Sequence, residues 1–272
     1  MTSHASHQSP GPVAPDAPPL ARKPVSLCVV AMDEEDRIGQ CITSADFADE
    51  IILVDSHSTD RTREIAAGLG ARVIERDWAG YVAQKNYCID QASNEWVLVL
   101  DADEWLDAQA RASVIAALTR ADAPDGFELN RCTQYMGRWI RHGGWYPDRK
   151  LRLFRKSVGR FQGIDPHDRV RVAGRVERLA GDILHHPFRS IADHLRTIDR
   201  YTSIAADEKH ARGQRAGLAD LTLRPWGKFL RMYFLERGFL EGIPGFVIAV
   251  TGSFYVFLKY AKLWERWARR GD

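Results

Sequence analysis

The sequence predicts an α/β fold, a mostly parallel sheet flanked by helices with a helical C-terminal region, and three observations carry that reading. Apolar runs of strand length recur at residues 25–31, 50–55 and 96–101, and the last two end in Asp. Segments with helical spacing and short polar connections separate them, as in βαβ units whose strands are buried on both faces. From residue 191 onward the spacing is helical again.

Taken in order, the first strand (25–31) leads into the acidic turn Met32-Asp33-Glu34-Glu35 and a helical pattern through Ile38, Cys41, Ile42 and Ala45. The second strand (50–55) opens into Ser56-His57-Ser58-Thr59-Asp60. Thr59 or Asp60 can cap the helix that follows through Arg63, Ile65, Ala66 and Leu69, and Gly70 stops it. Residues 71–75 read as a short strand and 81–92 as a helix carrying Gln84-Lys85-Asn86. Residues 97–105 read V-L-V-L-D-A-D-E-W, so the third long run breaks off into Asp101, Asp103 and Glu104. A further helix is expected over 107–120. Right-handed crossovers then make 25–125 a nucleotide-binding, Rossmann-like half.

After Gly126 the texture changes. Strand-like stretches at 127–136, 151–155, 170–172 and 178–184 surround the loop Gly143-Gly144-Trp145-Tyr146-Pro147-Asp148. Residues 126–190 are therefore expected to form the acceptor-binding half of one 25–190 domain. Ile191, Leu195, Ile198, Tyr201 and Ala205 predict a helix over 191–211, within a 191–272 helical region. Residues 1–24, rich in Pro, Ala and Ser and without an apolar h-region, read as a disordered tail and not a signal peptide.

A hydrophobic share of 45% with 27% charged residues describes a globular chain, and a formal net charge of +2 names no partner. The distribution is more telling. From Arg131 to Arg160 the cations Arg138, Arg141, Arg149, Lys150, Arg152, Arg155 and Lys156 face the single acid Asp148, an excess that attracts phosphate or carboxylate. No helix-turn-helix, zinc-finger or RNA-binding signature accompanies it, so nucleic acid is not the expected partner. Cys28, Cys41, Cys88 and Cys132 form no C-x-x-C pair, which argues against a zinc site or disulfide framework. Residues 243–258 are apolar but shorter than the roughly 20 residues that cross a bilayer. With Trp226, Lys228, Arg231, Lys259, Tyr260, Trp264 and Arg266 around them, they read as an interfacial helix, with packing on the catalytic domain as the alternative.

Carboxylates at the C-terminal end of a buried strand sit where parallel sheets bind ligands. Two acids one residue apart can share a hard divalent cation that neutralises a departing diphosphate; they can equally serve as strand-end or helix-capping residues. Lys85, Arg149 and Arg152 could hold phosphates, and Trp145 and Tyr146 could stack on a sugar ring or merely pack the loop. There is no G-x-G-x-x-G for a dehydrogenase and no Gly-rich N-terminal loop for a nucleotidyltransferase.

Read together, V-V-A-M-D-E-E-D-R-I, D-E-I-I-L-V-D-S-H-S-T-D-R-T, Q-K-N, V-L-V-L-D-A-D-E, G-R-W-I-R-H-G-G-W-Y-P-D-R-K-L-R-L-F-R and F-Y-V-F-L-K-Y-A-K-L-W resemble family 2 glycosyltransferases, most of all the lipopolysaccharide inner-core β-1,4-glucosyltransferase group. The resemblance implies a GT-A fold, an inverting reaction, a nucleotide-diphosphate sugar donor such as UDP-glucose, and Mg2+ or Mn2+ as cofactor. By motif position it places Glu34 in the first donor loop, Asp55 at the nucleotide base, and Asp101 and Asp103 at the metal and ribose-diphosphate, with His185 as a late metal ligand. Gly143 and Gly144 match the loop closing over the donor, Lys85 and Asn86 belong to the same donor set, and Trp145, Tyr146, Arg149 and Arg152 fall to the acceptor. His167-Asp168, after Pro166, stands where relatives carry a His-Glu pair, which makes Asp168 the expected base. Met32-Asp33 and His57 depart from the family pattern, and a His where Gly is usual is strained if the turn needs a positive φ.

The acceptor implied is lipid-linked, such as lipopolysaccharide inner core, with polyprenyl phosphate or an exopolysaccharide precursor as alternatives. The enzyme would then be cytoplasmic and peripheral on the inner face of the cytoplasmic membrane. A non-catalytic nucleotide-sugar-binding scaffold is the reading from a different class.

Overall fold

The computed structural model describes residues 21–163 and 168–269. Most of the expected tail, residues 1–20, lies outside them, as does His167 of the His-Asp pair. From Arg22 onward the chain is fastened, since Arg22 pairs with Asp49 at 2.7 Å and the Lys23 amide donates to the Leu118 carbonyl.

The first half alternates as expected: β1 (Val25–Ala31), α1 (Ile38–Ser44), β2 (Glu50–Asp55), α2 (Thr62–Gly68), β3 (Arg72–Glu75), α3 (Tyr81–Asp90) and β4 (Trp96–Asp101). After these come β5 (Glu104–Leu106), α4 (Ala108–Thr119), β6 (Gly126–Tyr135), β7 (Arg138–Ile140), β8 (Asp148–Arg155), β9 (Gly159–Gln162), β10 (Arg169–Val172) and β11 (Val176–His185). The main sheet runs β3-β2-β1-β4-β8-β6-β11-β5, with β7 beside β6 and β9–β10 as a separate ribbon. β3, β2, β1 and β4 are mutually parallel. Beyond them the sheet is mixed, because β8 is antiparallel to both neighbours whereas β11 is parallel to β6.

Period-2 alternation explains the layers. Leu27, Val29, Leu98 and Leu100 point to one face, where Ile38, Cys41 and Val114 of the helices close a large core. Cys28, Val97 and Val99 point to the other, against Cys88 and Ile89 of α3. All four cysteines are buried free thiols, small apolar fillers of the core. Gly181, in the bulge of β11, has φ +89°, and a Cβ there would lie 2.1 Å from the Ala110 amide of α4. Only glycine lets that helix approach so closely.

The C-terminal region comprises α5 (Ile191–Ala211), α6 (Leu218–Leu230), a π-helical turn (Arg231–Leu235), a 3-10 turn (Gly238–Glu241) and α7 (Ile243–Ala268). α7 is a correction to the sequence reading. At 26 residues, with a mean hydropathy of 1.4 over its most apolar stretch, it is long and apolar enough to cross a membrane by length and composition. The expected stop near Leu258 fails because the polar residues beyond it find partners on α5. The Lys262 ammonium donates to Asp199 Oδ1 at 2.7 Å, Thr202 at 2.9 Å and Ser203 at 2.8 Å, and Arg266 pairs with Asp207 at 2.6 Å.

Candidate active site

The corner after β4 is organised by buried charge. Glu104 has no exposed surface. Its carboxylate accepts from the Asp101 amide (3.1 Å), Arg131 of β6 (3.1 Å) and Arg152 of β8 (2.7 Å). Arg152 also donates to Asp101 Oδ2 at 2.8 Å, while Lys85 of α3 sits 2.7 Å from Asp101 Oδ1. Burial alone would raise the Asp101 carboxyl, but Lys85 and then Arg152 overrule it and hold it far below the ordinary carboxylate range.

Lys85 reaches further. Its ammonium, almost fully buried, lies 2.9 Å from Asp168 Oδ2, just ahead of β10. One cation therefore joins the acid at the end of β4 to the residue expected as base, although 83 residues separate Lys85 from Asp168 in sequence. Rings of Phe161 and Tyr81 flank the ammonium at 5.1 Å and 5.8 Å.

Asp103 turns the other way, towards His185 at the end of β11, with Oδ2 3.4 Å from Nε2. Burial opposes its ionisation, yet the His185 ring holds it below the usual carboxylate value. His185 Nδ1 is fixed by Thr133 at 3.1 Å, so Nε2 is the nitrogen facing Asp103. The expected trio of Asp101, Asp103 and His185 is thus not assembled. Both Asp101 oxygens are engaged by cations, and among the described residues no three His, Cys, Asp or Glu side chains converge to hold a metal. Asp103 and His185 remain as adjacent oxygen and nitrogen donors, a set that suits Mn2+ or Mg2+ only with further ligands from water or a diphosphate.

The loops after β1 and β2 are zipped together. The Thr59 amide donates to Asp33 (2.7 Å), the Asp33 amide to Ser58 (2.9 Å), and the Glu34 amide to Thr62 (2.7 Å). Glu34 stands beside Arg37 at 2.6 Å and Arg189 at 3.5 Å. Burial pushes its carboxyl up to about 7, with Arg37 opposing and Asp103 adding to the rise. His57 does adopt φ 59°, and its ring bonds Asp77 at 2.8 Å. Asp55 is fully buried and accepts from the Ser58 amide at 2.8 Å and from its hydroxyl, so its carboxylate shapes the turn. An open depression of about 460 Å3 beside that turn is lined by Asp60, Arg63 and Glu75, among others, and by none of the acids at 101, 103 and 168.

Other expected site residues have structural work. Asn86 donates to the Phe161 carbonyl and accepts from its amide, both at 2.9 Å, clamping α3 to β9 rather than facing a donor. Arg152 is buried in the acid corner, away from the acceptor role expected of it. Tyr146 donates to Asp182 at 2.9 Å under the Arg141 guanidinium. Trp145 packs edge-on to Tyr135 at 5.4 Å. Gly143 (φ 73°) donates to the Glu236 carbonyl at 2.7 Å, and a Cβ on Gly144 (φ 79°) would meet the Glu236 carboxylate. The loop thus rests on the C-terminal region. Arg149 is exposed on β8. Sequence reasoning assigned no role to Glu104 or Arg131 and passed over Arg37 and Arg189. Glu104 was visible as the third acid of D-A-D-E; the others lack any local signal.

His194, stacked on Phe188 at 4.4 Å and bonded to the Tyr135 hydroxyl at 2.8 Å, supports this loop from α5. Burial lowers its ring to about 4 from the ordinary 6.5. An unfolded chain takes up that proton first, so the stability contributed by neutral His194 is full above pH 6.5 and is lost as pH falls towards 4. His194→Phe is expected to flatten this acid limb in urea-unfolding midpoints, and an unchanged slope would contradict the assignment.

A parallel first half, a mixed continuation and acids at the end of β4 make up a GT-A-type fold. The chain belongs to glycosyl transferase family 2, whose model matches residues 26–170. It is 31% identical to a lipopolysaccharide core biosynthesis glycosyltransferase, LpsC, of Rhizobium meliloti, over 92% of this chain and 95% of that protein. It is also 31% identical to an uncharacterized glycosyltransferase, RT0209, of Rickettsia typhi, over 89% and 87%. Among solved structures it is similar to S. aureus TarS 1-349 in complex with UDP-GlcNAc, at 14% identity and TM-score 0.48 over 92% of each chain. Glucosyl-3-phosphoglycerate synthase of Mycobacterium tuberculosis with Mn2+ and UDP gives 24% identity and TM-score 0.33 over 42% of this chain and 45% of that one.

Proposed function

We propose that the chain is an inverting hexosyltransferase that moves a sugar, glucose by family resemblance, from a uridine diphosphate donor to a hydroxyl of a lipid-linked, phosphorylated saccharide such as lipopolysaccharide inner core. The observation that carries this reading is the Lys85 ammonium between Asp101 and Asp168, which brings a carboxylate base to the donor rim. Asp168 takes the proton of the acceptor hydroxyl as its oxygen bonds the anomeric carbon, and the bond to the donor phosphate breaks with the electron pair leaving on the nucleoside diphosphate. Lys85 holds Asp168 in place, while Arg152 and Glu104 fix the corner from which Asp101 projects. A divalent cation, Mg2+ or Mn2+, would be held by Asp103 and His185 and supplies charge neutralisation for the departing diphosphate. The core-biosynthesis name of the Rhizobium relative supports the acceptor class.

Membrane association follows from exposed apolar side chains. Leu218, Trp226, Leu235 and Ile243 are 66–80% exposed along α6, the π turn and the start of α7, and exposed apolar side chains on successive elements support a lipid-facing surface. The proposed setting is the inner face of the cytoplasmic membrane. A donor screen with Mn2+ and Mg2+ tests the chemistry: UDP-glucose is expected to be turned over by the parent and not by Asp103→Ala. Equal turnover by both would remove the metal assignment, and no turnover of any nucleotide sugar by the parent would remove the reading.

A further inference from the structure

Tyr260 of α7 carries three cations around one ring. Lys259 lies 5.0 Å from its centroid, Arg224 of α6 5.4 Å and Lys209 of α5 5.5 Å. Lys228 of α6 joins them where α7 passes closest, its Cε 4.0 Å from where a Cβ on Gly252 would stand. Burial holds the half-buried Lys259 ammonium below its ordinary value, and every charged group acting on it, Lys209, Arg224 and Lys228, lowers it further.

One carboxylate belongs to the group: Asp220 pairs with Arg224 (2.5 Å) and accepts from the Gly217 amide (2.9 Å), which leaves four cations against one acid. Glu208 pairs with Arg212, and Asp207 with Arg266. Among the described residues neither Lys228 nor Lys259 has an ion-pair partner, and Lys209 donates to the Gln214 amide oxygen at 2.9 Å. Like charges gathered on one partly exposed face, with Asp220 alone to offset them, repel one another and attract an anion. Cation–π contact with one tyrosine offsets only a little of that repulsion.

We propose that the face where α7 meets α5 and α6 is a phosphate-binding site, in which Lys209, Arg224, Lys228 and Lys259, gathered about Tyr260, bind a phosphate ester carried by a lipid headgroup or by the acceptor saccharide. Its position supports a link to the acceptor. Tyr201 of α5, the helix that also carries Lys209, hydrogen-bonds Tyr81, whose ring flanks the Lys85 ammonium, so α5 joins this face to the acid corner. That link rests on the transferase reading proposed above; phosphate binding itself does not.

The test uses the full chain in phosphate-free buffer, with Lys228→Gln/Lys259→Gln as the variant and Lys259→Met as a milder second. Without ligand the variant is expected to unfold no earlier than the parent, because repulsion is relieved. Inorganic phosphate should raise the parent's midpoint, also in the Asp103→Ala background, and the variant should need about tenfold more phosphate or greater for the same rise. Vesicles of phosphatidylcholine with and without phosphatidylglycerol separate the sources. Retention on the anionic vesicles that is lost in the variant assigns the phosphate to a headgroup; equal retention with an altered phosphate response assigns it to a soluble ester. Identical phosphate responses and identical retention in parent and variant would overturn the proposal. No turnover is read, so the result stands or falls separately from the transferase chemistry.

Discussion

Asp168→Asn is expected to lower sugar transfer by about 10²–10⁴-fold, the usual contribution of a positioned general base, while leaving donor binding and the fold in place. The amide keeps the shape of the carboxylate, and its oxygen can still accept from Lys85, which now stands 2.9 Å from Asp168 Oδ2. What disappears is the capacity to take a proton. Rate measurements at saturating donor, beside calorimetric donor affinity, separate the two. A variant that transfers at the parent rate would place the base elsewhere, and one that fails to bind donor would make Asp168 a fixture of the donor site. Asp168→Glu, which keeps an acid one methylene longer, should hold more of the rate than Asp168→Asn.

Arg152→Leu is expected to cost about 3–5 kcal/mol of stability, the range for removing one partner of a buried ion pair. The guanidinium is 4% exposed and ties Asp101 to Glu104 at 2.8 Å and 2.7 Å. Its loss leaves Glu104, with no exposed surface, to Arg131 and one backbone amide, and leaves Asp101 to Lys85 alone. Arg152→Lys should fall between, because one nitrogen, Nη2, makes both bonds and an ammonium can also donate to two carboxylates, but from a shorter side chain. Urea unfolding reads both. A leucine variant as stable as the parent would mean that the corner relaxes around solvent, and the buried network would then have no part in fixing Asp101.

The first half was legible because period and length suffice there: each buried run alternates between two cores, and each ends where the chain must turn. β5 was missed because three residues carry no period, and its pairing with β11 is decided 81 residues away, at His185 opposite Glu104. The acid motif was legible as an acid motif, but not its partners. Asp101 looks like half of a metal pair in sequence, whereas Lys85 and Arg152 reach it only after α3 and β8 have packed. Asn86 was drawn into the donor set by standing beside Lys85, although one helical step turns it to β9. The length of α7 was underestimated because Lys259 and Lys262 resemble a terminus until α5 supplies oxygen acceptors for Lys262.

Those acceptors bear on how the protein meets a bilayer. To thread α7 through hydrocarbon, the Lys262 ammonium would surrender the Asp199, Thr202 and Ser203 oxygens and Arg266 its carboxylate, with nothing apolar to replace them. Under the membrane association proposed above, α7 would then lie along the lipid surface with its apolar side down. Such a protein would be free to come and go, its residence on lipid set by salt and surface charge rather than fixed at insertion.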